Sequence, residues 1–308
     1  MLTVGALARD ELEARLAGPG LYLQTGPFIN CVRSTIPQIA DGIARLYADY
    51  ALAPSDGEAA FADFHVSFPR SSLPRRWWRP QVQLDYEGAR PFAPAPVDQA
   101  FPMFEWVLNW CISSRANNYL IIHAAVVEKG GCAAILPAPP GSGKSTLCAA
   151  LVHRGWRLLS DELTLIRLED GLIVPAPRPV SLKNAAIGII GDYLEAPVFS
   201  AAVDTPQKGL VAHLKPPADS IARSGQTARP AWVIFPQYSA GAPATLAPMG
   251  PARAFMQLAE NAFNYSLLGA AGFNMLANVI DRSDCFQFRY SALDEAIDIF
   301  SRLTPPQR

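Results

Sequence analysis

The sequence predicts a mixed α/β chain in two units, and three observations carry that prediction. A short apolar run at 133–136 leads into a Gly/Pro-rich loop and then a helix-like stretch at 145–154. Strand-like runs at 157–168 and 172–174 follow, and helical spacing returns at 251–262, 270–280 and 293–303. The first part of the chain has a composition of its own and ends at a Pro-rich joint, Pro91, Pro94 and Pro96. The expected division is therefore a small N-terminal α+β domain, 1–117, serving as an accessory or docking unit, and an α/β domain, 118–308.

In chain order, Ile39, Ile43, Leu46 and Tyr47 have helical spacing, while 61–68 and 81–86 alternate as strands. Between those strands, 69–80 gathers Arg70, Arg75, Arg76, Arg79, Trp77 and Trp78. That loop is either a docking surface for an acidic or peptide partner or, more plainly, a hairpin whose tryptophans pack on the neighbouring unit. An apolar helix at 102–115 is expected to dock the two units together. A hairpin, 120–127 and 132–136 around Gly130-Gly131, delivers the chain to the loop. Later come a strand at 232–235, the three helices, and a strand at 285–290 between the last two of them.

Bulk properties exclude several classes. A net charge of −1 gives no field for steering onto nucleic acid or an anionic membrane, so neither is an expected partner. Cys31, Cys111, Cys132, Cys148 and Cys285 are odd in number and widely spread, which fits a reducing compartment better than a disulfide framework or a zinc site. The first fifteen residues carry Asp10, Glu11 and Glu13 in place of a basic leader, so a cytoplasmic location is expected. The longest apolar stretch, 267–280, contains Asn274 and Asn278 and reads as a buried helix, too short to span a membrane.

The loop itself reads Ala138-Pro-Pro-Gly141-Ser142-Gly143-Lys144-Ser145-Thr146. This is the pattern of a phosphate-binding loop, in which backbone N–H groups and a helix N-terminus cradle a nucleotide's phosphates. Lys144 would reach the β and γ phosphates and Ser145 would hold Mg²⁺. The first position is Ala138 instead of Gly, which the turn tolerates if φ is negative there. Sixteen residues beyond Ser145 stand Asp161 and Glu162, at the end of an apolar run. Two carboxylates beside a phosphate loop suit two tasks, accepting a proton from an attacking hydroxyl and ligating Mg²⁺. Strand neighbours face opposite ways, so both reach one site only if the strand geometry is broken there. His123, in an apolar setting twenty-one positions before Lys144, reads on spacing alone as a core histidine more readily than a functional one.

Taken together, His123-Ala-Ala-Val-Val-Glu-Lys-Gly-Gly, Pro-Gly-Ser-Gly-Lys-Ser and Arg154-Gly-Trp-Arg-Leu-Leu-Ser-Asp161-Glu162 resemble the catalytic core of HPr kinase/phosphorylases and their relatives. The resemblance covers about forty residues closely and extends more loosely from residue 118. It implies a PEP-carboxykinase-like P-loop fold and an ATP- and Mg²⁺-dependent kinase that phosphorylates a serine of a protein or peptide. It further implies Asp161 as the base, His123 as the residue that sets its protonation, and Glu162 as a Mg²⁺ ligand with Ser145. Residues 186–190, Ala-Ile-Gly-Ile-Ile, stand where the family has an Arg-Gly-Leu-Gly-Ile-Ile type segment, without its Arg and first Gly. Lys183, His213 and Lys215 are candidate cationic contacts. The N-terminal part is unlike that of the bifunctional enzymes, so a homo-oligomer is a weaker implication; the chain resembles instead the related kinases of bacterial biosynthetic and exopolysaccharide gene clusters. Two other readings stay open, a kinase of free serine or a sugar, and an ATP-binding partner that does no chemistry. A transporter ATPase is disfavoured, because no Leu-Ser-Gly-Gly-Gln-like signature is present.

Overall fold

The computed structural model describes residues 2–55, 60–69 and 80–306. The Arg/Trp loop, 70–79, lies outside them. In the N-terminal part, helix α1 (Arg9–Ala17), strands β1 (Leu21–Thr25) and β2 (Phe28–Ser34), helix α2 (Pro37–Leu46) and strand β3 (Phe64–Phe68) form a small three-stranded sheet flanked by helices. β1 and β2 are an antiparallel hairpin, and β3 lies parallel to β2. Pro37 opens α2, where its missing N–H costs nothing, and Ile39, Ile43 and Leu46 line the buried face. A short pair, β4 (Gln81–Val82) and β5 (Ala95–Pro96), leads to helix α3 (Ala100–Arg115). α2 and α3 approach closely at Gly42, where a Cβ would stand 2.0 Å from the Phe101 ring.

The second part is built on an eight-stranded sheet. Its hub is β6 (Tyr119–Lys129), an apolar strand buried at nearly every position, as a strand covered on both faces must be. β6 turns at Gly130-Gly131 into β7 (Cys132–Pro137), the expected hairpin. After helix α4 (Lys144–Val152), β8 (Arg157–Ser160) pairs with one end of β6 and β9 (Leu163–Arg167) with the other, and β10 (Ile173–Val174) extends the sheet beyond β9. The run expected as one strand over 157–168 is thus two strands, broken at Asp161 and Glu162.

A separate three-stranded sheet follows, from β11 (Val180–Lys183), β12 (Val203–Thr205) and β13 (Gly209–Leu214), with helix α5 (Ala185–Tyr193) after β11. Helix α6 (Ala218–Ala222) precedes β14 (Arg229–Tyr238), and β15 (Thr245–Pro248) precedes helices α7 (Pro251–Glu260), α8 (Tyr265–Leu268) and α9 (Ala270–Arg282). β16 (Asp284–Tyr290) and helix α10 (Leu293–Ser301) complete the chain. β7, β14 and β16 run parallel, so their C-terminal ends open on one side of the sheet, where ligand crevices of α/β proteins form.

One expectation is corrected. The apolar stretch 267–280 is two helices divided at Gly269, with Leu267 71% and Phe273 51% exposed. Only one face, including Leu276, Val279 and Ile280, is buried, because Asn274 and Asn278 interrupt the apolar surface of α9. No helix among the described residues is long and apolar enough to cross a membrane. All five cysteines are buried and unbridged.

Candidate active site

The loop after β7 takes the shape its residues call for. Gly141 and Gly143 have φ of 85° and 86°, while Ala138 is not among the described non-glycine residues with positive φ. Gly143 caps α4 in the left-handed conformation, and no side chain caps that end. The first amides of α4, those of Lys144, Ser145 and Thr146, therefore face outward without intrahelical partners, beside the positive end of the helix dipole. Two strand ends brace the loop. The Tyr238 amide donates to the Ser142 carbonyl at 2.9 Å, and the Tyr290 hydroxyl donates to the Gly143 carbonyl at 2.9 Å. A Cβ at Gly143 would lie 2.4 Å from that hydroxyl, so only glycine fits.

The acid pair sits where β8 gives way to β9, alongside the strand that carries His123. Val126 of β6 pairs with Ser160 and His123 pairs with Leu163, so the two carboxylates occupy the break, with a register shift between Val126 and Val127. The Leu163 amide donates to the Ser160 hydroxyl at 3.1 Å and fixes the turn. Breaking the strand releases the alternation, yet the two side chains still go different ways. Glu162 faces His123, Nε2 to Oε2 at 3.2 Å, and both line a cavity of about 610 Å³ with the phosphate loop. Asp161 is 4% exposed and turns inward, its Oδ2 accepting the Ser181 amide at 3.2 Å and its Oδ1 without a hydrogen-bond partner among the described residues.

Their ionisation diverges accordingly. Burial, and then the charge of Glu162, raise the Asp161 carboxyl to about 6, against the pull of Lys144 and the Ser145 hydroxyl. Burial also acts to raise Glu162, but the hydrogen bond from His123 and the charges of Lys144 and Lys183 hold it well below the usual carboxylate range. His123 therefore meets Glu162, where the expectation paired it with Asp161.

The lining of the large cavity is mixed in polarity. It combines Lys144, Lys183 and the start of α5, including Ala186 and Ile189 from the 186–190 segment, with the largely apolar surfaces of Tyr193, Leu293 and the two tyrosines that brace the loop. Cationic groups and apolar surface within one such volume suit a nucleotide. None of the ion pairs among the described residues engages Lys144. Of the other candidate cations, Lys183 lines the cavity, but His213 and Lys215 do not. His213 is buried, and burial together with the Arg178 charge pushes it down to about 3, so it is neutral and not a phosphate contact. Lys215 pairs with Asp49 at 2.8 Å.

A divalent ion fits this donor set. Mg²⁺ takes one or two protein oxygens and completes its shell with phosphates and water. The Ser145 hydroxyl close to Asp161, with Glu162 lining the same cavity as Ser145, supplies those oxygens. Among the described residues no group of three or more His, Cys, Asp or Glu forms a self-sufficient metal cage.

Sequence reasoning missed Tyr238 and Tyr290, whose signal was available: each ends a strand that runs parallel to the one carrying the loop, Tyr238 on its neighbour and Tyr290 on the next strand along. It also missed Glu105 and Arg178, which pair at 3.3 Å behind the acids and have no local motif.

Comparison with known proteins finds distant relatives only. No family model matches the chain. It is 33% identical over 109 residues to the HPr kinase/phosphorylase of Geobacillus thermodenitrificans, covering 32% of this chain and 34% of that protein. It is 35% identical over 91 residues to that of Geobacillus sp. WCH70 and 34% over 91 residues to that of Geobacillus kaustophilus, covering 26% of this chain and 29% of each. The chain thus spans about a third of the length of the curated relatives it matches, a distant relationship to HPr kinase/phosphorylases.

Proposed function

We propose that the protein is an ATP- and Mg²⁺-dependent kinase that transfers the γ-phosphoryl group to a hydroxyl, a serine of a protein or peptide. The observation that carries this reading is the His123–Glu162 pair facing the phosphate loop across one cavity. The names of the relatives, kinase/phosphorylases of the protein HPr, point to the same reaction class. The same reading takes the region from residue 118 as a PEP-carboxykinase-like P-loop domain and 1–117 as an accessory domain, in a cytoplasmic protein.

The geometry favours an exchange of the two acid roles. An acceptor hydroxyl entering the large cavity meets Glu162, which is ionised and oriented by His123, while Asp161 is buried beneath the phosphate loop against the Ser145 hydroxyl. In this mechanism the hydroxyl oxygen attacks the γ phosphorus, the bond to the β,γ-bridging oxygen breaks, ADP leaves, and the hydroxyl proton passes to Glu162. Lys144 and the amides from Gly141 to Thr146 neutralise phosphate charge, where most of the catalysis of phosphoryl transfer lies. Ser145 and Asp161 would hold Mg²⁺, which when bound offsets charge on the β and γ phosphates.

The test is transfer of label from γ-labelled ATP with Mg²⁺ to lysate proteins, synthetic Ser-containing peptides and free serine in parallel, comparing wild type with Glu162→Gln. Label on a protein or peptide serine that vanishes in the variant is the expected outcome. Label on free serine would move the reading to a metabolite kinase. ATP binding with no transfer to any acceptor would end the catalytic reading.

A further inference from the structure

We propose that a small cavity behind the acid pair is a fixed-water site, and that His213 is a positioning residue that acts on Asp161 through that water. The cavity measures about 20 Å³, and its walls include Trp106 of α3, Asp161, Arg178 and His213 of β13. That volume accommodates one water molecule, for which roughly 10–15 Å³ suffices.

Four buried polar atoms of these walls have no hydrogen-bond partner among the described residues: Asp161 Oδ1, Trp106 Nε1, and Nδ1 and Nε2 of His213. Buried polar groups are almost always satisfied, so a cluster of orphans around a water-sized space identifies its ligand. The chemistry is complementary. His213 is 1% exposed and neutral, so its ring offers one donor and one acceptor, and the Phe101 ring, edge-on at 5.5 Å, holds it in place. A water donating to Asp161 Oδ1 and accepting from His213 or Trp106 satisfies both sides. Arg178 cannot take that place, since its guanidinium is committed to Glu105 and Asn109. The wall from α3 and β13 thereby holds Asp161 from behind through Oδ1, while the Ser181 amide holds Oδ2 and the Ser145 hydroxyl stands on the phosphate-loop side.

The consequence for turnover rests on the kinase reading, but the water does not. A crystal structure of the full chain at about 1.5 Å or better should show one water within about 2.6–3.2 Å of Asp161 Oδ1 and a His213 nitrogen. A dry cavity, or a direct His213–Asp161 hydrogen bond, would overturn the site. For the positioning role, His213→Leu should bind ATP as wild type does yet need about tenfold or more Mg²⁺ for half-maximal label transfer, with His213→Gln restoring the wild-type requirement. A wild-type Mg²⁺ requirement in His213→Leu, or an equal rise in both variants, would overturn it. If His213→Leu fails to fold, ¹⁵N shifts of the His213 ring in Asp161→Asn decide: a change is expected, and unchanged shifts refute the link. Absence of transfer in the wild type would remove the proposed function while the density still decides the water.

Discussion

Two cavities flank one dipeptide, and they treat its neighbouring carboxylates in opposite ways. On the Glu162 side the space is about 610 Å³, with Lys144 and Lys183 beside it and unpaired amides of α4 facing it. On the Asp161 side it is about 20 Å³, walled by charges already spent on each other, Glu105 and Arg178. The result is one carboxyl held far below its ordinary range and one raised to about 6, next to each other in sequence. Environment, more than residue type, assigns the tasks: the open side is equipped to receive charge and the closed side to hold a group still.

The largest effect should come from crossing that division. Glu162→Gln is expected to cut phosphoryl transfer by about 10²–10⁴-fold, the usual loss of a general base, with ATP affinity nearly intact. Asp161→Asn should instead raise the Mg²⁺ concentration needed for half-maximal turnover. Steady-state kinetics at varied Mg²⁺ separates the two. A loss in turnover for Asp161→Asn at every Mg²⁺ concentration, with Glu162→Gln active, would restore Asp161 as the base and collapse the comparison.

Next in size is the closed side's own ion pair. Arg178 and Glu105 are 8% and 3% exposed, and Tyr47 donates to Glu105 Oε1 at 2.6 Å. Arg178→Ala strands a buried carboxylate and should cost about 3–5 kcal/mol in urea unfolding. Glu105 is already raised to about 7 by burial, and losing Arg178 raises it further. A raised carboxyl destabilises the fold only once it must ionise, so the penalty of Arg178→Ala should be smaller at pH 5 than at pH 8. Lys215→Ala, which removes the more exposed pair with Asp49, should cost about 1 kcal/mol or less. Equal costs for the two variants would mean that the back wall is no more built than the surface.

These two sides also differ in what the sequence discloses. The phosphate loop is a local string, and its φ requirements name its glycines, so Gly141, Gly143, Lys144 and Ser145 were legible, as was Ala138 as a tolerated departure. The need for a strand break at Asp161 and Glu162 was legible too, from the period of a strand. Which acid meets His123 was not, because that depends on the register of β8 and β9 along β6 and on the shift at Val126. The closed side is assembled from α3, the segment before β11, and β13, whose contacts no spacing announces. His213 looked cationic for that reason, and burial makes it neutral.

Asp161→Asn also tests stability. Its carboxyl goes from 3.8 when unfolded to about 6 in the fold, so ionising it opposes folding. At about 1.4 kcal/mol per unit, removing the charge should stabilise the protein by about 3 kcal/mol at neutral pH. The gain should be absent at about pH 3 and below, where the carboxyl is protonated both folded and unfolded, grow between about pH 4 and 6, and level off above that. Melting curves across that range check it, and a variant less stable than wild type at pH 7 would mean that the carboxylate is well compensated where it lies.

The smallest effect belongs to the open side's brace. Burial keeps the Tyr290 hydroxyl protonated well above its ordinary range, so it is a permanent donor to the Gly143 carbonyl. Tyr290→Phe deletes one neutral hydrogen bond, worth about 1 kcal/mol, without opening a cavity. Because that bond holds the loop and not the acids, the loss should fall on ATP affinity, a rise in KM of about fivefold, with kcat unchanged. A fall in kcat at constant KM would mean that the brace carries strain to the acid pair, and that the two sides of the site are one mechanical unit.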